Sequence, residues 1–139
     1  MSAQENVELA RQSYDVFARG DIPALLDMYT EDADWIFPPI EGVRHSGNRQ
    51  GRNGVAEFFR IHAEDEEVLA FTQDTFIAQG NQVAVEGRYE ARSRATGRGY
   101  GTDFAHLLTI SNGKIREIRL YLDTAAVADA HRRGGSARA

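Results

Sequence analysis

The stretch TDFAHLLTISNGKIREIRLYLD, residues 102–123, decides the fold. Two runs rich in large and β-branched apolar residues flank Asn112-Gly113, a dipeptide that tolerates the left-handed backbone of a hairpin turn. The segment therefore predicts two antiparallel strands, Thr102 to Ser111 and Lys114 to Asp123. Which side chains share a face depends on the turn. With a two-residue turn, His106 lies opposite Arg119 and the face also gathers Glu117 and Tyr121. With a three-residue loop and a bulge at Gly113, His106 lies opposite Ile118 and Phe104 opposite Leu120. We prefer the second register, because it collects Phe104, Leu108, Ile110, Ile118, Leu120 and Leu122 on a concave side and leaves Glu117, Arg119 and Tyr121 outside. His106 is then alone among hydrophobes. Loss of hydration disfavours its charged form and leaves a neutral imidazole able to give or take one proton.

Two more strands precede this hairpin, Val68 to Gln79 and Gln82 to Arg94, joined at Gly80-Asn81 and followed by a Thr96-Gly97 turn. In the second of them Val83, Val85, Tyr89 and Ala91 alternate with Glu86, Arg88, Glu90 and Arg92, the period of a sheet with one buried face. Helices come first. Val7, Ala10, Tyr14 and Phe17 recur at spacings of three and four between Glu5 and Arg19, and Gly20 sits where such a helix stops. Asp21 can cap, and Pro23 can open, a short second helix bearing Ile22, Leu25, Leu26 and Tyr29.

Asp34 to Pro38, with Trp35 and Phe37 alternating, predicts a short edge strand closed by Pro38-Pro39. Between Glu41 and Gly54 four glycines, His45, Arg44, Arg49 and Arg52 suggest a mobile polar rim that could admit a ligand carboxylate. Val55, Phe58, Phe59 and His62 mark a third helix. The acidic run Glu64 to Glu67 is expected to be a solvated face, without the spacing of a calcium loop. A last helix from Thr124 to Arg132 ends at Gly134-Gly135. The chain is expected to form one domain over residues 1–133 with a flexible tail at 134–139.

Composition narrows the function. The 139 residues are 42% hydrophobic and 27% charged, which is ordinary for a globular chain. A formal net charge of −5 repels phosphate backbones and anionic headgroups, so neither nucleic acid nor membrane is an expected partner. There is no cysteine, hence no disulfide, thiolate nucleophile or Cys-based zinc site. That absence fits a reducing compartment, and with no apolar leader or long apolar run the expected location is cytoplasmic. Four scattered histidines give no paired metal spacing, and GRGYG at 97–101 lacks the following helix of a dinucleotide site. No metal and no cofactor are expected.

The Arg19-Gly20-Asp21 turn, the second helix with Tyr29, EDADWIFP at 31–38, EFF at 57–59 and IREIRLYLD at 115–123 together resemble the nuclear transport factor 2-like superfamily. Within it the chain is most similar to SnoaL-like polyketide cyclases and ketosteroid isomerase-like proteins. The resemblance implies an α+β fold, a conical barrel of N-terminal helices packed on a curved antiparallel sheet with cystatin-like topology, and a homodimer. It does not carry over the isomerase residues. Aligned on Gly20-Asp21, the oxyanion tyrosine position falls on Ser13, with Tyr14 about 100° further round the helix. The base position is Phe37, and the oxyanion aspartate position is His106. Where epoxide hydrolases of the superfamily carry an inward carboxylate, this chain has Leu120.

SnoaL-like cyclases pair a histidine with an aspartate, so the resemblance implies His106 with Asp103 or Asp123 as the acid-base pair. The expected ligand lining is Tyr14, Trp35, Phe37, Phe58, His62, Phe104, Leu108, Ile118 and Leu120, around a small apolar molecule. The functional expectation is a cofactor-free proton-transfer enzyme, cyclase-, isomerase- or hydrolase-like, acting on a small carbonyl compound. The alternative is a non-catalytic small-molecule-binding or dimeric interaction module.

Overall fold

The computed structural model describes residues 2–133. Helix α1 (Ala3–Ala18) opens on a capping box in which Ser2 Oγ accepts from the Glu5 amide and the Glu5 carboxylate accepts from the Ser2 amide. It closes at Gly20, whose φ of +74° is the left-handed stop that glycine makes without strain. Helix α2 (Ile22–Asp27) follows under the Asp21 cap. Strand β1 (Tyr29–Ile36) starts earlier than the expected Asp34, and Tyr29 belongs to it rather than to the helix. After it come β2 (Arg49–Gln50), α3 (Gly51–Asp65), β3 (Glu66–Gln79), β4 (Gln82–Ser93), β5 (Gly99–Ser111), β6 (Lys114–Leu122) and α4 (Thr124–His131). The proposed tail at 134–139 lies outside the described residues.

The sheet is a curved, unclosed surface in the order β2-β1-β6-β5-β4-β3, with helices packed on its concave side. All neighbours run antiparallel except β1 beside β6, which is parallel. That one parallel pair is possible because the crossover from β1 to β6 is long and carries α3. Among the described residues no helix is long and apolar enough to cross a membrane.

The hairpin register is neither of the two anticipated. Ser111 pairs with Lys114 across a two-residue turn in which Asn112 and Gly113 have φ of 51° and 76°. A bulge between Thr109 and Ile110 then shifts the ladder by one residue, placing His106 opposite Leu120, Phe104 opposite Leu122 and Leu108 opposite Ile118. The concave face is nevertheless the expected one, because the pairing differs from the preferred register by an even number of residues, which preserves the side.

Two loop expectations are corrected. The segment after β1 is not a mobile rim, for Val43 and His45 are buried and Ser46 Oγ closes it with bonds to Ile40 and Val43. Its arginines are committed: Arg44 to Asp65 and Glu64, Arg49 to Glu57, and Arg52 to the Tyr29 carbonyl. Nor is the acidic run uniformly solvated. Glu64 and Asp65 hold Arg44 and Glu67 pairs with Arg92, but Glu66, the first residue of β3, is only 2% exposed.

Candidate functional site

Between the helices and the concave face lies a cavity of about 100 Å³. Most of its wall is aromatic. Trp35 and Phe37 come from β1 and the residue after it, and α3 packs Phe58 at a tilt of 37° on Trp35 with ring centroids 4.3 Å apart. Phe104, Ile118 and Leu120 project from β5 and β6, so these expected lining residues meet there together with Tyr14 and His62. Leu108 is the exception. It faces the same side of the sheet but is fully buried in the core, because the packing closes before the wall reaches its rung.

His106 is not alone. The Tyr14 hydroxyl lies 2.7 Å from His106 Nδ1, and the two rings are nearly parallel. The turn of the helix that displaces Tyr14 from the isomerase position still brings it into the cavity, whereas Ser13 spends its hydroxyl on the Ala10 carbonyl. Phe71 and Phe76 pack edge-on to Tyr14 and fix its ring. Burial drives His106 down to about 3 and holds the Tyr14 phenol well above its ordinary value, so both groups are neutral at pH 7.

The pair has two tautomeric arrangements. With Tyr14 donating to Nδ1, His106 presents Nε2–H. With Nδ1–H donating to the phenol oxygen, Nε2 becomes a base and the Tyr14 hydroxyl is released as a donor. Either way one donor and one acceptor are available.

The expected aspartate partners are absent from this place. The Asp103 side chain is 85% exposed beside Arg88 on the convex face, since it is one residue out of phase with Phe104. Asp123 is the exposed N-cap of α4 and accepts from the Ala126 amide. Neither reaches the cavity.

A second polar group was not anticipated. Glu66 accepts hydrogen bonds from Tyr89 at 2.6 Å, Tyr100 at 2.7 Å and His131 Nε2 at 2.7 Å. His62 Nε2 lies 2.7 Å from the Tyr89 oxygen and, with the Tyr89 hydrogen committed to Glu66, is the donor there. His45 Nε2 stands 3.6 Å from the carboxylate. The histidines thought scattered therefore converge: His45, His62 and His131 surround one carboxylate, and donor atoms of His45, Glu66 and His131 lie within 4.8 Å of one another. Burial alone would raise Glu66, but the hydrogen bond from His131, the nearby His62 and His45 imidazoles and the hydrogen bond from Tyr89 outweigh it and hold the carboxyl well below its usual range. Burial pushes His45 down to about 4. The sequence offered one signal for this group, the i,i+4 spacing of His62 and Glu66 across the end of α3.

A family model of the SnoaL-like domain matches residues 10–118. An NTF2-like protein from Burkholderia xenovorans LB400 is similar with 32% identity and a TM-score of 0.85, over 95% of this chain and 99% of that one. An NTF2-like protein of unknown function from Burkholderia pseudomallei K96243 shares 26% identity at a TM-score of 0.80, over 94% and 98% of the two chains. TerC, co-crystallised with polyporic acid, shares 27% identity at a TM-score of 0.77, over 91% and 98%. No curated protein matches the chain. With most of its length matched by the domain model and nearly all of it superposed on an NTF2-like protein at 32% identity, the chain belongs to the SnoaL-like family of the NTF2-like superfamily.

Proposed function

We propose that this protein is a proton-transfer catalyst for a small apolar carbonyl compound, using Tyr14 and His106 as one bifunctional pair. The observation that carries the reading is the 2.7 Å contact between two neutral titratable groups at the wall of an aromatic cavity. In the arrangement with Nδ1–H donating to Tyr14, Nε2 takes the proton from the carbon beside the carbonyl. Nδ1–H passes to the phenol oxygen, and the phenol proton passes to the carbonyl oxygen. The substrate becomes its enol, and the pair ends as the other tautomer. No net charge appears, which suits a cavity where ions are poorly solvated. The step uses protein side chains alone.

The cavity volume limits the ligand. An apolar cavity of about 150 Å³ takes benzene, so about 100 Å³ fits a ligand no larger than one small ring or a short chain. That TerC was co-crystallised with polyporic acid supports an organic ligand in this fold. The test is carbon–deuterium exchange in D2O, followed by NMR over a panel of small ketones and enones. Exchange by the native protein and its loss in His106→Ala is the expected result. Equal exchange by both proteins overturns the reading.

A second reading, a binding module, is favoured because Asp103 and Asp123, the carboxylates expected beside His106, both lie outside the cavity. It predicts ligands that raise the melting temperature of the native protein and of His106→Ala alike and are recovered without exchange.

The homodimer is likewise a proposal. Ile77 and Tyr121 are 63% and 54% exposed on the outer sheet face, two apolar side chains among charged ones such as Arg88, Asp103 and Arg119, and a second copy lying on that face would cover both. Sedimentation should give a dimer that Tyr121→Glu weakens. A monomer at all concentrations removes the idea.

A further inference from the structure

The group around Glu66 contains one residue that the hydrogen-bond network does not explain. Tyr89, Tyr100 and His131 already satisfy the carboxylate. His45 is 2% exposed yet makes no hydrogen bond among the described residues: Nδ1 is buried without a partner, and Nε2 stops 3.6 Å short of Glu66. A buried imidazole left unpaired is costly, and such groups call for a specific explanation. This one points at a carboxylate that a second imidazole, His131, also touches.

Two imidazoles and a carboxylate are the donor set of divalent first-row transition-metal ions, which bind such atoms at about 2.0–2.2 Å. Donors sharing an ion at those lengths stand about 3–3.5 Å apart, and here Glu66 Oε2 lies 2.7 Å from His131 Nε2 and 3.6 Å from His45 Nε2. Small side-chain adjustments would bring the three onto one ion. The Glu66 carboxylate has the outer support that metal-bound carboxylates require, because Tyr89 and Tyr100 each grip one of its oxygens and orient it, whereas His45 Nδ1 has no outer partner among the described residues. His45 and Glu66 both line the cavity.

We propose that His45, Glu66 and His131 bind a divalent transition-metal ion whose remaining coordination position faces the cavity. Three protein ligands leave room for a water molecule or for an oxygen atom of the bound compound. The site shares no residue with the Tyr14–His106 pair and does not depend on the proton-transfer reading.

The test uses full-length, tag-free protein stripped with a chelator. Zn²⁺ is titrated by calorimetry, and Co²⁺ is followed by its visible absorption, which reports the coordination geometry. The expected result is one ion per chain and an affinity at least about 100-fold weaker in His45→Asn, a larger loss than removal of an outer-shell partner brings. His45→Asn deletes no hydrogen bond of the metal-free fold, and circular dichroism confirms that it folds. His106→Asn should bind Zn²⁺ as the native protein does. Absence of stoichiometric Zn²⁺ and Co²⁺ binding by the native protein overturns the proposal, and so does equal Zn²⁺ affinity in the native protein and His45→Asn.

Discussion

The Tyr14 hydroxyl and the His106 ring, 92 positions apart in the chain, meet at 2.7 Å in the interior. Tyr14→Phe keeps the ring packed against Phe71 and Phe76 and deletes only the hydroxyl. It leaves Nδ1 of a buried imidazole unpaired, at a cost of about 1–3 kcal/mol. Urea denaturation at pH 7 should show that loss with an unchanged slope. Under the proposed mechanism deuterium exchange should also fall as far as in His106→Ala, because the proton path runs through both groups. A Tyr14→Phe variant with native exchange would confine the chemistry to His106.

The pH dependence of stability follows from His106. Its folded value of about 3 lies below the ordinary 6.5, with burial as the cause. Tyr14 is the titratable group that faces it, and that phenol stays protonated throughout this range. Between the two values the unfolded chain takes up a proton that the folded state refuses. The contribution is complete above about pH 6.5 and declines as pH falls, by up to about 1.4 kcal/mol per unit. From pH 6.5 to pH 5 the native protein should lose about 1.6 kcal/mol more than His106→Leu. Parallel losses in the two proteins would mean that the folded ring titrates normally.

Asp103→Asn separates the residue implied by family resemblance from the one the geometry selects. Its carboxylate sits on the outer face beside Arg88, a pair too exposed to contribute more than a few tenths of a kcal/mol. The variant should match the native protein in melting temperature and in exchange rate. A loss of exchange without unfolding would return Asp103 to the mechanism.

What the sequence made legible was governed by period. Alternation along Gln82 to Ser93 fixed the buried face of β4, and the three-four spacing of α1 put Tyr14 inward. The bulge at Thr109 to Ile110 has no composition signal, so the pairing of His106 could be anticipated only as a side and not as a partner. The Glu66 group was hidden for a different reason. Its members come from a loop, a helix end, three strands and α4, and a charge in an acidic run is ordinarily solvated. Asp103 misled because a paired aspartate was supplied by resemblance, while the one-residue phase of β5 sends it outward.

Gly87 tests the sheet that holds the site. It lies in β4 opposite Gln73, where β3 carries a bulge between Gln73 and Thr75, and it is buried on the concave side. The bulge brings the β3 backbone so close that a Cβ at position 87 would stand 1.9 Å from the Thr72 carbonyl oxygen and 2.9 Å from its carbon. Neither atom belongs to a flexible side chain, so the strand itself must move. Phe71 is on that strand and packs against Tyr14, Phe104 and His106, which makes the displacement felt in the cavity. Gly87→Ala should therefore destabilise the protein by more than about 3 kcal/mol, an unusually large effect for one methyl group. If the variant unfolds in urea at the native midpoint, the close approach of the two strands is absent in solution and the placement of Phe71 against His106 must be revised with it.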